Sequence, residues 1–281
     1  MENQSMPKKI KWIKRRGAKR VLVGGLMIFL VVLLVGTSFF WTPYDPNKSN
    51  LALRLKGPSA AHPFGTDNLG RDILSRVMAG GKISLTIAFL TVIGTTLLGV
   101  VAGVLSGYYG GALDATLNMI AEMRQSMPMT LIVIVFLAVF GSSIVSMTII
   151  LALAEWISIF RTVRARTMTE KKSDYVTAAY ASGASNFRII FKYILPNVLP
   201  SVIVLSSLLV GSVILEESSL SYLGIGVSKP YPTWGRMVGD GQSYLISGKW
   251  WLSIFSALPI LLLVLGINIL GDGLRQMWKM E

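Results

Sequence analysis

The chain has no cysteine, one histidine and only 14 acidic residues in 281. Without cysteine there are no disulfides, no thiolate-ligated zinc and no iron–sulfur cluster. Charged residues make up 15% of the chain and hydrophobic ones 52%, against about 25% charged in soluble domains, so a water-surrounded globule has too little polar surface. Alternation over ten-residue segments, the mark of a membrane β-barrel, is missing. So are internal repeats, low-complexity tracts, an HExxH sequence, a nucleophile elbow and any Ser/His/Asp set. Gly80-Gly81-Lys82-Ile83 has neither the upstream glycine nor the Ser/Thr of a phosphate-binding loop. Enzyme activity is not expected of this chain.

What it does have is apolar runs of about 20 residues, each long enough to cross a bilayer, and a mean hydropathy of +0.59. The reading is an all-α, six-span membrane protein. The spans are expected near 21–41, 83–107, 114–140, 144–160, 198–216 and 251–270. Residues 1–20 form a basic tail, 42–80 an external segment, and 81–281 the five-helix core with a loop at 173–196. The run from Val21 to Trp41 is too long for a signal-peptide core and lacks an A-x-A-like site, so it is expected to stay as an anchor. The +13 net charge is read as topology rather than nucleic-acid binding. With both termini inside, 17 basic residues face the cytoplasm and 9 the exterior, as the positive-inside rule requires.

Within the spans, Gly99, Gly103 and Gly107 follow one another at four-residue intervals below Thr95. That smooth stripe suits close helix packing or a sliding surface. Pro128 and Pro259 are expected to kink the third and sixth helices. Glu122, Arg124 and Glu155 are charges at membrane depth, which face either a water-filled path or one another. Glu216 and Glu217 either line the outer mouth or are solvated. His62 reads as a turn residue rather than a metal ligand.

Residues 173–197 are the informative loop. Ser173 is placed to cap a short helix that Gly183 ends. Ser185 then starts a second helix expected to stop before Pro196, with Phe187, Ile190, Phe191 and Ile194 on one apolar face. The first helix presents Ala178, Ala179, Ala181 and Ser182, small residues that let a partner surface come close.

Ala178-Ala179, Gly183 and Leu195-Pro196 match the EAA loop of ABC-importer permeases, Glu-Ala-Ala, three residues, Gly, nine residues, Ile-x-Leu-Pro. Thr177 replaces the Glu and Tyr193 the Ile. His62-Pro63-Phe64-Gly65-Thr66-Asp67-Asn68-Leu69-Gly70-Arg71-Asp72, Glu217 to Gly224 with Pro232-Thr233-Trp234-Gly235, and Asn268 to Arg275 narrow the likeness. Together they make the chain resemble the second, or "C", permease subunit of dipeptide, oligopeptide and nickel importers.

The resemblance implies a type I (MetI-like) permease fold in the bacterial inner membrane. It also implies a second permease subunit, two cytoplasmic ATPases that bind ATP and Mg, and an external substrate-binding protein. Thr177, Ala178, Ala179 and Gly183 would then sit in an ATPase cleft, with Leu195-Pro196 closing the loop. No cofactor is expected in this chain. Where relatives carry an Arg–Asp pair ahead of the proline of the third helix, this chain has Met119 and Glu122. Peptides are the leading cargo and nickel or a metal chelate the rival; outside this class stand an ATPase-independent channel or carrier and a membrane scaffold.

Overall fold

The computed structural model describes residues 8–228 and 230–278. Ten α-helices account for most of them: α1 (Lys8–Thr37), α2 (Ile73–Tyr109), α3 (Gly111–Gln125), α4 (Met129–Phe140), α5 (Ile144–Lys171), α6 (Asp174–Ala181), α7 (Asn186–Arg188), α8 (Leu195–Tyr222), α9 (Trp234–Gln242) and α10 (Trp251–Trp278). A π-helical stretch, Ile189–Ile194, joins α7 to α8. Five helical segments are long and apolar enough to span a membrane, and α3 with α4 makes a sixth broken one.

Two compact units are present, 89–209 and the described residues on either side. In the terminal unit α1 packs along α10. A Cβ at Gly24 would lie 2.5 Å from Gly266 O and 2.6 Å from Leu270 N, so the two backbones touch where only glycine fits. In the central unit the last turns of α2 lie against α5. A Cβ at Gly99 would meet Ile159 Cβ at 2.7 Å, and one at Gly103 would meet Val163 Cβ at 2.7 Å and Phe160 O at 2.8 Å. The Gly99/Gly103/Gly107 stripe is therefore a packing seam.

The start of α2 differs from the sequence expectation because two cations there are held by distant partners. α2 begins at Ile73, ten residues early, and includes Arg76 and Lys82. Arg76 is buried, donates to Pro46 O at 3.0 Å and pairs with Asp67 at 3.5 Å. Lys82 Nζ donates to Ser38 O at 2.5 Å and sits over the Phe39 ring. A hydropathy window reads both as loop residues, because their partners, Asp67, Pro46 and Ser38, lie 9, 30 and 44 positions away.

Pro128 does not kink a continuous helix. α3 stops at Gln125, Pro128 stands just ahead of α4, and the two axes differ by 89°. Lacking an N–H, and disfavouring helical geometry in the residue before it, proline fits a helix start better than a helix interior. Pro259 does lie inside α10, and Pro200 inside α8.

The 62–72 motif folds as a knot over the start of α2. Asp72 accepts from Ser75 N at 2.7 Å, capping the helix, and from His62 Nδ1 at 2.9 Å. Asp67 accepts from Leu69 N, Arg71 N and Arg71 Nε at 2.6 to 2.9 Å. His62 is thus committed to Asp72.

Candidate functional site: the 173–197 hairpin and its supports

α6 follows α5 after two residues. Ser173 takes the N-cap position, but its hydroxyl donates back to Glu170 O at 2.6 Å rather than accepting from α6. The end of α6 is a Schellman turn: Ala184 N donates to Ala179 O at 3.1 Å, and Gly183 N to Tyr180 O at 3.0 Å. Gly183 carries the left-handed φ of +79° that this turn needs, and a Cβ there would meet nothing within 4 Å. Its glycine is a backbone requirement, not a space requirement.

Thr177, Ala178, Ala181 and Ser182 are exposed. Ala179, expected on the same surface, is instead buried with Val176. The helical period explains this, since residues three apart share a face, and Val176 already points inward.

Ser185 caps the second helix by accepting from Arg188 N at 3.4 Å. That helix does not stop before Pro196. It passes through the π-helical stretch into α8, so Asn186–Tyr222 is one continuous helical run. Leu195 N donates five residues back, to Ile190 O, and the wider turn takes in the proline without ending the helix. The same change of period splits the expected apolar face. Ile189, Ile190 and Ile194 are buried, whereas Phe187 and Phe191 are exposed, with ring centroids 4.3 Å apart.

Polar links hold the sequence-distant α2–α3 corner against α5 and, through Asn186, against the hairpin. Arg164 of α5 grips Asp114 of α3 with two bonds, 2.5 and 2.6 Å, and Asp114 also accepts from Ser106 and from Asn118 at 2.8 Å. Lys171 Nζ donates to Tyr108 O at 2.6 Å, and Tyr108 Oη donates to Asn186 Oδ1 at 2.8 Å. None of these is legible from spacing; Asp114 alone reads as a first-turn carboxylate complementing the helix dipole. Between corner and hairpin is a cleft of about 440 Å³, lined by Tyr108, Tyr109, Lys171, Thr177, Tyr180 and Asn186 among others. Tyr175 donates to Glu170 and accepts from Asn197 at 3.1 Å. Desolvation first, and then the Glu170 carboxylate, raise its phenol above the ordinary value, so it remains a donor at neutral pH.

The intramembrane charges divide. Arg124 pairs with Glu155 at 3.4 Å, joining α3 to α5, while Glu122 is exposed. In the terminal unit Glu217 is fully buried and accepts from Ser84 Oγ at 3.1 Å and Ser221 Oγ at 2.6 Å. This overturns the solvated reading for Glu217. Glu216 beside it is half-buried.

With that geometry in view, comparison with known proteins places the chain. Residues 99–278 match the family model described as binding-protein-dependent transport system inner membrane component. The chain belongs to this family. Similar proteins include a dipeptide transport system permease protein DppC of Alkalihalophilus pseudofirmus, 36% identical over 257 residues, 92% of this chain and 84% of that one. An oligopeptide transport system permease protein OppC of Bacillus subtilis is 36% identical over 263 residues, 94% and 86% of the two chains. A glutathione transport system permease protein GsiD of Pectobacterium atrosepticum is 34% identical over 255 residues, 90% and 84%. The chain is a multi-pass permease subunit of the bacterial inner membrane.

Proposed function

We propose that this permease is one of two pore-forming subunits of an ATP-driven importer that carries di- or oligopeptides handed over by an external binding protein. The peptide class is supported by the names of the relatives, which include dipeptide, oligopeptide and glutathione permeases. ATP and Mg belong to two separate ATPase subunits in this reading, and the chain itself carries no catalytic residue. Both termini and the 173–197 hairpin lie in the cytoplasm, as the excess of basic residues there supports. The 42–72 segment and α9 lie outside.

The hairpin carries the proposal. It offers a rigid turn at Gly183 and an exposed face of small residues, Thr177, Ala178, Ala181 and Ser182. Close approach by an ATPase needs such a face, because large side chains would hold the surfaces apart. Leu195 and Pro196 continue the hairpin into α8, so displacement of α6 is passed to a membrane-crossing helix. Glu122, Arg124, Glu155, Glu216 and Glu217 are assigned to the translocation path or to the helix pairs that shape it.

Gly183→Val and Gly183→Asn test this reading. A β-branched residue resists φ +79°, whereas Asn tolerates the left-handed region. Gly183→Val is expected to insert normally yet lose ATPase copurification and peptide uptake, with Gly183→Asn retaining both. Full ATPase retention and uptake in Gly183→Val would contradict the mechanism.

A further inference from the structure

α3 carries a face that the docking reading leaves unused. Met119, Glu122 and Met123 fall at i, i+3 and i+4 on one face of α3, and Ser126 and Met127 follow just past its last residue, Gln125. All five are exposed, the three methionines at 54%, 62% and 55%. The face runs straight into the break between α3 and α4, where the chain turns by 89° at exposed Ser126, Met127 and Pro128.

Two observations exclude lipid as the covering. Glu122 is a charge in the middle of the face, and membrane charges face protein or water rather than acyl chains. Broken backbone at membrane depth is likewise tolerated only within protein or along a water-filled cavity. Within the chain α3 packs through its other side, where Leu117 and Ala121 meet Trp156, Ile157 and Phe160 of α5. For the close approach of α2 to α5 the chain uses glycine, at Gly99 and Gly103. Here it uses long, flexible thioethers. Arg124, next to this face and paired with Glu155 through Nη2, leaves a buried Nε without a hydrogen-bond partner.

We propose that Met119, Glu122, Met123 and Met127 line the translocation path and contact the transported peptide. The thioethers adapt to side chains of different size, and the Glu122 carboxylate receives the peptide's ammonium terminus. Unbranched and polarizable, methionine repacks around varied apolar groups at low cost, which suits a cargo defined by its backbone ends rather than by one side chain. The inference rests on the peptide-importer reading.

The test uses the assembled importer in proteoliposomes. Replacing all three methionines with leucine keeps apolar volume but removes flexibility; uptake of Phe-Phe relative to Ala-Ala is expected to fall by about tenfold, the scale of one mismatched apolar subsite. Glu122→Gln is expected to reduce the preference for free over N-acetylated dipeptides. A single cysteine, Met123→Cys, is unique in this chain, and labelling there by a cationic thiol reagent should be slowed by saturating dipeptide. Unchanged selectivity, or labelling indifferent to peptide, overturns the proposal. ATPase copurification is scored separately: its absence in the wild-type complex contradicts the docking reading, and absence of all peptide uptake contradicts the substrate class.

Discussion

Glu217 shows how a single side chain acquires meaning only from its neighbours. It is a carboxylate with no exposed surface, held by hydroxyls from α2 and from its own helix. Ser84 Oγ also stands 3.4 Å from Trp234 N at the start of α9, and the Trp234 indole donates to Val77 O at 2.9 Å. Glu217→Gln keeps a hydrogen-bonding partner for both serines. Glu217→Leu leaves buried hydroxyls unpaired, at about 1–3 kcal/mol per group. Thermal unfolding of the solubilised subunit should therefore place the leucine variant clearly below the glutamine variant, and equal midpoints would refute this account. The sequence leaves Glu217 either at the outer mouth or in solvent and says nothing of Ser84, 133 positions away. Arg164 and Asp114 escape notice for the same reason, since each looks ordinary until the fold brings them together.

Among the elements, seams formed by local spacing are the most legible. The Gly99/Gly103/Gly107 stripe points by its spacing alone to a close helix contact, and α5 supplies the partner. The contact makes a directional prediction. Gly103→Ala puts a methyl 2.7 Å from Val163 Cβ and 2.8 Å from Phe160 O, an overpacking that costs about 1–3 kcal/mol. Gly25→Ala, on α1 with nothing within 4 Å, gains up to about 1 kcal/mol of helix propensity. Opposite shifts in thermal stability are expected, and shifts of the same sign would contradict the packing. The α1–α10 seam is not legible, because Gly24 and Gly266 belong to opposite ends of the chain. The split of the second hairpin helix is hidden as well: a π turn changes the period, so the 3.6-residue pattern groups Phe187 and Phe191 with the wrong face.

At the scale of the whole molecule, composition and hydropathy suffice for a six-span helical membrane protein, and the long motifs carry its likeness to a permease family. They do not show that the third span is broken by 89° at Pro128, nor which alanine of the Ala178-Ala179 pair faces out. The latter bears on the central claim, that an ATPase seats on the exposed face of α6. The absence of cysteine from the chain allows a direct measurement, thiol-directed cross-linking of Ala178→Cys and Ala179→Cys in the assembled transporter. Ala178 is exposed and Ala179 buried, so the account predicts a cross-link to the ATPase subunit from position 178, modulated by ATP, and little or none from 179. Equal cross-linking at both positions, or none at 178 in an intact complex, would contradict it.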